Sequence, residues 1–341
     1  MGAEPVLQTN TQKVTKPQRM WRWEIAIYLY LAGMGAGSYI VGMIVNWFLE
    51  DPSQPVTLLG LHLNLGKIGL FWGPILVAIG APFLILDLGI KRRFLYACLN
   101  PKTSWVARGF LILSTFIVLG LSVLGVSFLY PQLLTDRPIP WLFLEIVSLV
   151  FAFGTALYTG VLLKSVKYVP IWNTPLLPVL FLASALSTGS MGVILAMMGS
   201  GLLFSEAETL MALAHQNIVP AERVFIVIEG LILALYLYTR YRVKDQGETS
   251  VRLLLSGKLK PIFWGGIVIT GFVFPMILEY TYSCCPDYPE LLFATGLCLL
   301  CGGFFLRLGV LASGVKEQLP MQKLVEIKAN LRAFKKDGSS Q

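Results

Sequence analysis

The sequence predicts an all-α, polytopic membrane protein: eight transmembrane helices packed as helix bundles, with both termini on the cytoplasmic side. Three observations carry that reading. Of 341 residues, 55% are hydrophobic and only 13% charged, against roughly 25% charged in soluble domains, which excludes a water-soluble globule. Eight apolar stretches reach the ~20 residues needed to cross about 30 Å of hydrocarbon. Lysine and arginine fall almost wholly in alternate connections, the asymmetry that sets orientation in membranes.

The spans are expected at 24–49, 65–89, 105–130, 141–164, 175–202, 222–241, 261–281 and 289–313. Each is helical by necessity, because lipid gives backbone N–H and C=O groups no partner and the segment must satisfy them itself. Residues 1–20 read as a flexible cytoplasmic tail, 21–315 as one membrane domain and 316–341 as a basic cytoplasmic tail. The first 20 residues are polar and the first span exceeds a signal h-region, so no cleavable signal is expected. In the C-terminal tail, Leu324, Ile327, Leu331 and Phe334 share one helical stripe opposite cations, which suits the inner membrane surface or, alternatively, a cytoplasmic partner. Residues 203–220, with Glu206, Glu208 and His215, read as an outer connector, a short helix being the alternative.

Of the 27 lysines and arginines, 22 lie in the two tails and the even-numbered connections; only Lys67, Arg137 and Arg223 fall on the opposite side. The net charge of +8 therefore reflects topology, and no nucleic-acid partner is expected. Composition also limits cofactors. His62 and His215 are the two histidines and neither sits in a long apolar run, so no haem held by a transmembrane ligand pair is expected. Cys298 and Cys301 form a lone CxxC inside an apolar span. A structural metal needs four ligands, so no metal is expected and the pair reads as small-residue packing. Cys284 and Cys285 lie in the outer loop, and Cys98 reads as a free thiol.

Ionisable groups in lipid are costly, and each is a functional candidate by default. Glu24, Asp87 and Arg108 fall near the cytoplasmic ends of the first three spans, Glu145 and Glu279 near the outer face, and Glu229 and Arg307 deeper. Asp87 and Arg108 flank one basic loop and are expected to pair. Glu229 is expected to be a proton relay or an interhelical hydrogen bond. In the first span, Gly33 and Gly37 have the small-xxx-small spacing of closely packed helices. Glu24 and Tyr28 share a helix face, which sets an acid beside a phenol below Trp21 and Trp23.

The segments WRWEIAIYLYLAGMGAGSY from Trp21, DLGIKRRFLYACLNPKTSWVARG from Asp87, YTGVLL from Tyr158 and WNTPLLPVLFLASALSTG from Trp172 together resemble the NrfD/PsrC family, the membrane subunits of polysulfide-reductase-type complexes. The likeness extends over about 21–315. It implies a quinone-binding membrane anchor that exchanges electrons between menaquinone or ubiquinone, bound as substrate, and a partner four-cluster ferredoxin-like iron–sulfur subunit. A catalytic subunit, in one form molybdopterin-dependent, lies beyond that partner. The resemblance places the quinone pocket at the start of the first span and at a tyrosine of the fourth, here the Glu24–Tyr28 turn and Tyr158. Relatives with Asn and His in the first span differ from this protein, which has Ile25 and Tyr28; Glu24 is therefore the expected proton donor. Tyr28 and Tyr158 would hydrogen-bond the quinone carbonyls, Trp23 and Trp105 would line the slot, and Asp87 and Arg108 would tune its charge. With the charge asymmetry, this implies a multi-pass protein of the inner (cytoplasmic) membrane whose partner docks on the cytoplasmic face.

Two other functions remain open on the residues alone. Glu145, Glu229, Glu279 and Arg307 would suit a secondary transporter or ion-conducting subunit, or a proton path beside the quinone site, although a strong internal repeat with paired broken helices is not evident. The third is a passive membrane anchor.

Overall fold

The computed structural model describes residues 23–48, 56–58, 61–63, 65–86, 104–130, 132–133, 137–201, 207–243, 245–285 and 288–317. The long elements are α1 (Trp23–Phe48), α2 (Leu65–Leu86), α3 (Trp105–Leu129), α4 (Ile139–Lys164), α5 (Leu176–Gly201) and α6 (Ala207–Arg242). After them come α7 (Gln246–Leu255), a π-helix (Ile262–Val273), α8 (Phe274–Cys284) and α9 (Pro289–Ala312). Asp87, Cys98, Trp21 and the amphipathic stretch 321–336 lie outside the described residues.

Among the described residues, seven helical segments are long and apolar enough to cross a membrane, the π-helix and α8 counting as one. The eighth expected span, 222–241, is also helical, but it lies within the 36-residue α6 and carries Glu222, Arg223 and Glu229. The connector expected at 203–220 is corrected from 207 onward: those residues form the first turns of α6, which continues through Pro220. The all-helical expectation needs one addition. A short antiparallel hairpin, β1 (Val56–Leu58) with β2 (Leu61–Leu63), pairs Thr57 with His62 between α1 and α2. Its strands have three residues each, below the four or more that make an alternating pattern readable.

The polypeptide runs up and down. We call the end where α1, α3 and α5 begin the near end, and the other the far end. Helices α1 and α5 form the spine: 72% of each core window is buried, against 33% for α3 and 28% for the π-helix with α8. Around it, α1 packs on α2 and α4, α5 packs on α6, and α9 packs on the π-helix and α8. The spine helices touch backbone to backbone where Gly37 meets Ala185 and Gly189, and Ser38 Oγ donates to the Gly189 carbonyl at 3.1 Å. Here the small-xxx-small spacing divides its work. Gly37 admits the α5 backbone, whereas Gly33 admits a side chain, since a Cβ there would lie 2.8 Å from Arg307 Nη2.

Two local rules shape the remaining elements. Asp245 caps α7, its carboxylate accepting from Gly247 N at 2.6 Å, which satisfies a first-turn donor that otherwise lacks a partner, and from Arg240 Nη2 of α6 at 2.8 Å. The π-helix keeps i→i+5 bonding up to Phe274, whose N–H reaches the Ile269 carbonyl. Pro275 then follows at the start of α8 with no N–H to give. Gly271 lies flat against Gly302 of α9, so the wider coil still packs closely.

Candidate functional site

At the near end, three helices bring together the residues singled out in the first, third and fourth spans. Tyr28 on α1 is completely buried and its hydroxyl has no hydrogen-bond partner among the described residues. Tyr158, near the end of α4, lies close enough to interact electrostatically with that phenol. Its own hydroxyl donates to the Trp105 carbonyl at 3.1 Å, which ties the end of α4 to the start of α3. Ser104 caps α3, accepting from Ala107 N at 3.3 Å, and so fixes that first turn. One turn along, Gly109 leaves the space that the Tyr158 ring fills; any Cβ there would collide with the phenol.

The cluster is roofed by aromatic surface. Trp23 and Trp105 are 56% and 44% exposed, and the Arg108 guanidinium stacks 4.5 Å from the Trp105 ring centroid. Glu24 is half-buried, with Oε2 out of solvent and without a hydrogen-bond partner among the described residues. Tyr28, Tyr158, Trp105, Arg108, Trp23 and Glu24 therefore occupy one end of the bundle. The Asp87–Arg108 pairing falls outside the described residues.

The candidate proton-path residues divide into separate groups. At the far end of the α1–α4 half, Glu145 Oε2 accepts from Trp47 Nε1 at 2.9 Å. Beside it, Tyr39 donates to Ser148 Oγ, which donates to the Glu145 carbonyl, each bond 2.8 Å. In the other half, Arg307 is fully buried. Its guanidinium lies between the Tyr30 and Phe181 rings, 5.5 Å from each centroid. Nη1 donates to Ser184 Oγ at 2.9 Å and to the Gly303 carbonyl at 2.8 Å, but Nε and Nη2 have no hydrogen-bond partner among the described residues. Glu229 interacts with both Ser184 and Arg307 and lines a small cavity with Thr188, Gly271 and Gly303. Glu279 Oε2 meets Arg223 Nε at 2.9 Å, and Arg223 also donates to Ser283.

Glu222, Ser184 and Ser187 belong to this picture and escaped the sequence reading. Glu222 is buried, accepts from Ser187 Oγ at 3.3 Å and interacts with Glu279. A signal was available. Glu222 and Glu229 are seven residues apart and Ser184 and Ser187 three, spacings that put each pair on one helix face. Cys284, Cys285, Cys298 and Cys301 are free thiols.

The sequence model of the family described as polysulphide reductase, NrfD matches residues 11–317. Among individual proteins, a polysulfide reductase component of Wolinella succinogenes is 30% identical, with 76% of the present sequence and 83% of that protein aligned. Protein NrfD of Escherichia coli is 27% identical over 90% of the present sequence and 98% of its own length. A selenate reductase component of Mesobacillus selenatarsenatis is 24% identical over 76% of the present sequence and 66% of its own. With a family model spanning nearly the whole helical core and components of polysulfide and selenate reductases among its relatives, this protein belongs to the NrfD family of membrane subunits of reductase complexes.

Proposed function

We propose that the protein is the quinone-reactive anchor of an oxidoreductase complex, and that the headgroup of menaquinone or ubiquinone settles against Tyr28 beneath Trp23 and Trp105. The observation that carries this reading is the Tyr28 hydroxyl, fully buried and unpartnered among the described residues. An unsatisfied buried hydroxyl costs about 1–3 kcal/mol, which a ligand oxygen arriving at that position would recover. The exposed indoles supply apolar surface for the ring and its tail, the usual composition of such sites.

Quinone turnover moves two electrons and two protons, so the site must present donors and a proton route. Tyr28 O–H would donate to one carbonyl oxygen. Tyr158 would reach the other by exchanging its bond to the Trp105 carbonyl. Glu24 shares the Tyr28 face of α1, and its Oε2, without a hydrogen-bond partner among the described residues, would carry protons between the headgroup and water. Arg108, held over Trp105, would keep the local field positive for a reduced headgroup, with Asp87 adjusting that charge. Because the site lies at the near end, its electron partner, a four-cluster ferredoxin-like iron–sulfur subunit, would dock there and connect to a catalytic subunit. The charge distribution supports a cytoplasmic position for that end, and the tails 1–20 and 316–341 would lie on the same side of the membrane domain 21–315.

The test is quinol-linked turnover of the purified complex, together with the quinone that co-purifies. Tyr28→Phe should lower both while leaving helix content unchanged. Full turnover and full quinone content in Tyr28→Phe and Glu24→Gln would remove the site from the near end.

A further inference from the structure

We infer that Glu222 and Glu279 hold one proton between them at the far end of the bundle, and that this pair is the mouth of a proton path running through Ser187 and Ser184 to Glu229 and Arg307.

The pair follows from hydrogen-bond and charge accounting. Both carboxyls are buried and they interact directly. Each has one oxygen engaged: Glu222 Oε1 accepts from Ser187 and Glu279 Oε2 from Arg223 Nε. Each has one oxygen without a partner among the described residues, Glu222 Oε2 and Glu279 Oε1. Two carboxylates are acceptors only and cannot satisfy one another. A single proton on one makes it a donor to the other and resolves both orphaned oxygens at once. It also leaves the pair with one negative charge, matched by the guanidinium of Arg223. Without that proton, two like charges would share a dry site against one cation, which burial does not tolerate.

The path follows from helix register. Ser187 and Ser184 sit one turn apart on α5, and Glu222 and Glu229 two turns apart on α6, about 10 Å at 1.5 Å per residue. Each serine meets one glutamate: Ser187 bonds Glu222, and Ser184 reaches Glu229 and accepts from Arg307. The cavity beside Glu229, lined also by Thr188 and by Ile267, Gly271 and Phe272 of the π-helix, has room for about one water. That water would bridge the gap between the two levels. Arg223, 42% exposed, connects the pair to bulk water at the far end. The inner terminus is Arg307, whose guanidinium packs against Gly33, about 7.5 Å along α1 from Tyr28 by helix rise. A proton leaving the pair to far-end water would be replaced from Glu229, and the reverse flow would use the same groups.

Driving this path by redox turnover rests on the quinone reading; the shared proton does not. The decisive measurement is infrared spectroscopy of the whole complex in sealed vesicles, read together with the proton-to-electron ratio during quinol-linked turnover. The native complex should show a protonated-carboxyl carbonyl band that moves on exchange into heavy water. Glu222→Gln should remove that band and lower the ratio, while turnover with an uncoupler is unchanged. Ser187→Ala should keep the band but shift it, because it removes the hydrogen bond that Glu222 Oε1 accepts, which supplies a readout should Glu222→Gln fail to fold. A band unaltered in Glu222→Gln, or unshifted in Ser187→Ala, overturns the pair. An unaltered ratio in Glu222→Gln overturns the path. Loss of the band without quinol turnover in the native complex supports the pair and overturns the near-end quinone site instead.

Discussion

The two ends of the bundle each bury polar atoms that have no hydrogen-bond partner among the described residues, but in different surroundings. At the near end they are the neutral Tyr28 phenol and Glu24 Oε2, beside half-exposed tryptophans. At the far end they include carboxyl oxygens of two glutamates that interact with one another, with Arg223 as counter-charge. A neutral hydroxyl without a partner among the described residues, close to exposed aromatic surface, suits a visiting molecule, because an arriving oxygen recovers about a hydrogen bond. A facing acid pair closes on itself and suits nothing larger than a proton. The contrast teaches that unsatisfied burial acquires meaning from what stands next to it.

The strongest way to break this contrast is to remove the charge between the two ends. Arg307→Met should lower stability by about 3–5 kcal/mol, since it leaves Glu229 buried without its nearby cation; the unfolding midpoint in mixed detergent measures it. Pairing it with Glu229→Gln should restore part of that loss, and equal loss in single and double variants would deny the coupling. Next comes Gly109→Ala, which pushes the Tyr158 ring aside. A displacement of about 1 Å at a reacting site costs on the order of 100-fold in rate, so quinol turnover should fall by that order while the far-end carboxyl band persists.

The tyrosines sharpen the comparison within one end. Tyr158→Phe deletes the bond to the Trp105 carbonyl and should cost about 1 kcal/mol. Tyr28→Phe deletes a hydroxyl that has no hydrogen-bond partner among the described residues and should be neutral or stabilising by about 1 kcal/mol, although turnover falls. Stability and activity thus move in opposite directions at one position and together at the other. The smallest effect is expected at Asp245→Ala, which removes the α7 cap and should cost about 1 kcal/mol or less, leaving turnover and the carboxyl band as they were.

Much of the architecture was legible because lipid makes span length a physical necessity. The stretch expected at 105–130 is the helix Trp105–Leu129, and that at 289–313 is Pro289–Ala312. What escaped depended on neighbours or on weak periodicity. Glu222 reads in sequence as the polar start of a span, and only the approach of α8 makes it one member of a pair. Arg223 counts as an ordinary loop cation until Glu279 is seen beside it. The Gly33 spacing suggested helix contact, yet what fills the space is Arg307, 274 positions later in the sequence. The near-end cluster was more readable, since Glu24 and Tyr28 share a helix face by spacing alone. The bond from Tyr158 to Trp105, 53 residues apart, was not.

The π-helix adds a final consequence. Its i→i+5 bonding holds more residues in each turn than the coil that follows, so the number of residues from 262 to 273 sets the angle at which α8 emerges. Trimming that stretch until it wound as an ordinary α-helix would swing Glu279 around its axis, away from both Glu222 and Arg223, with every side chain of the pair intact. Segment length in a largely apolar stretch therefore acts as a dial on two acids that lie outside it.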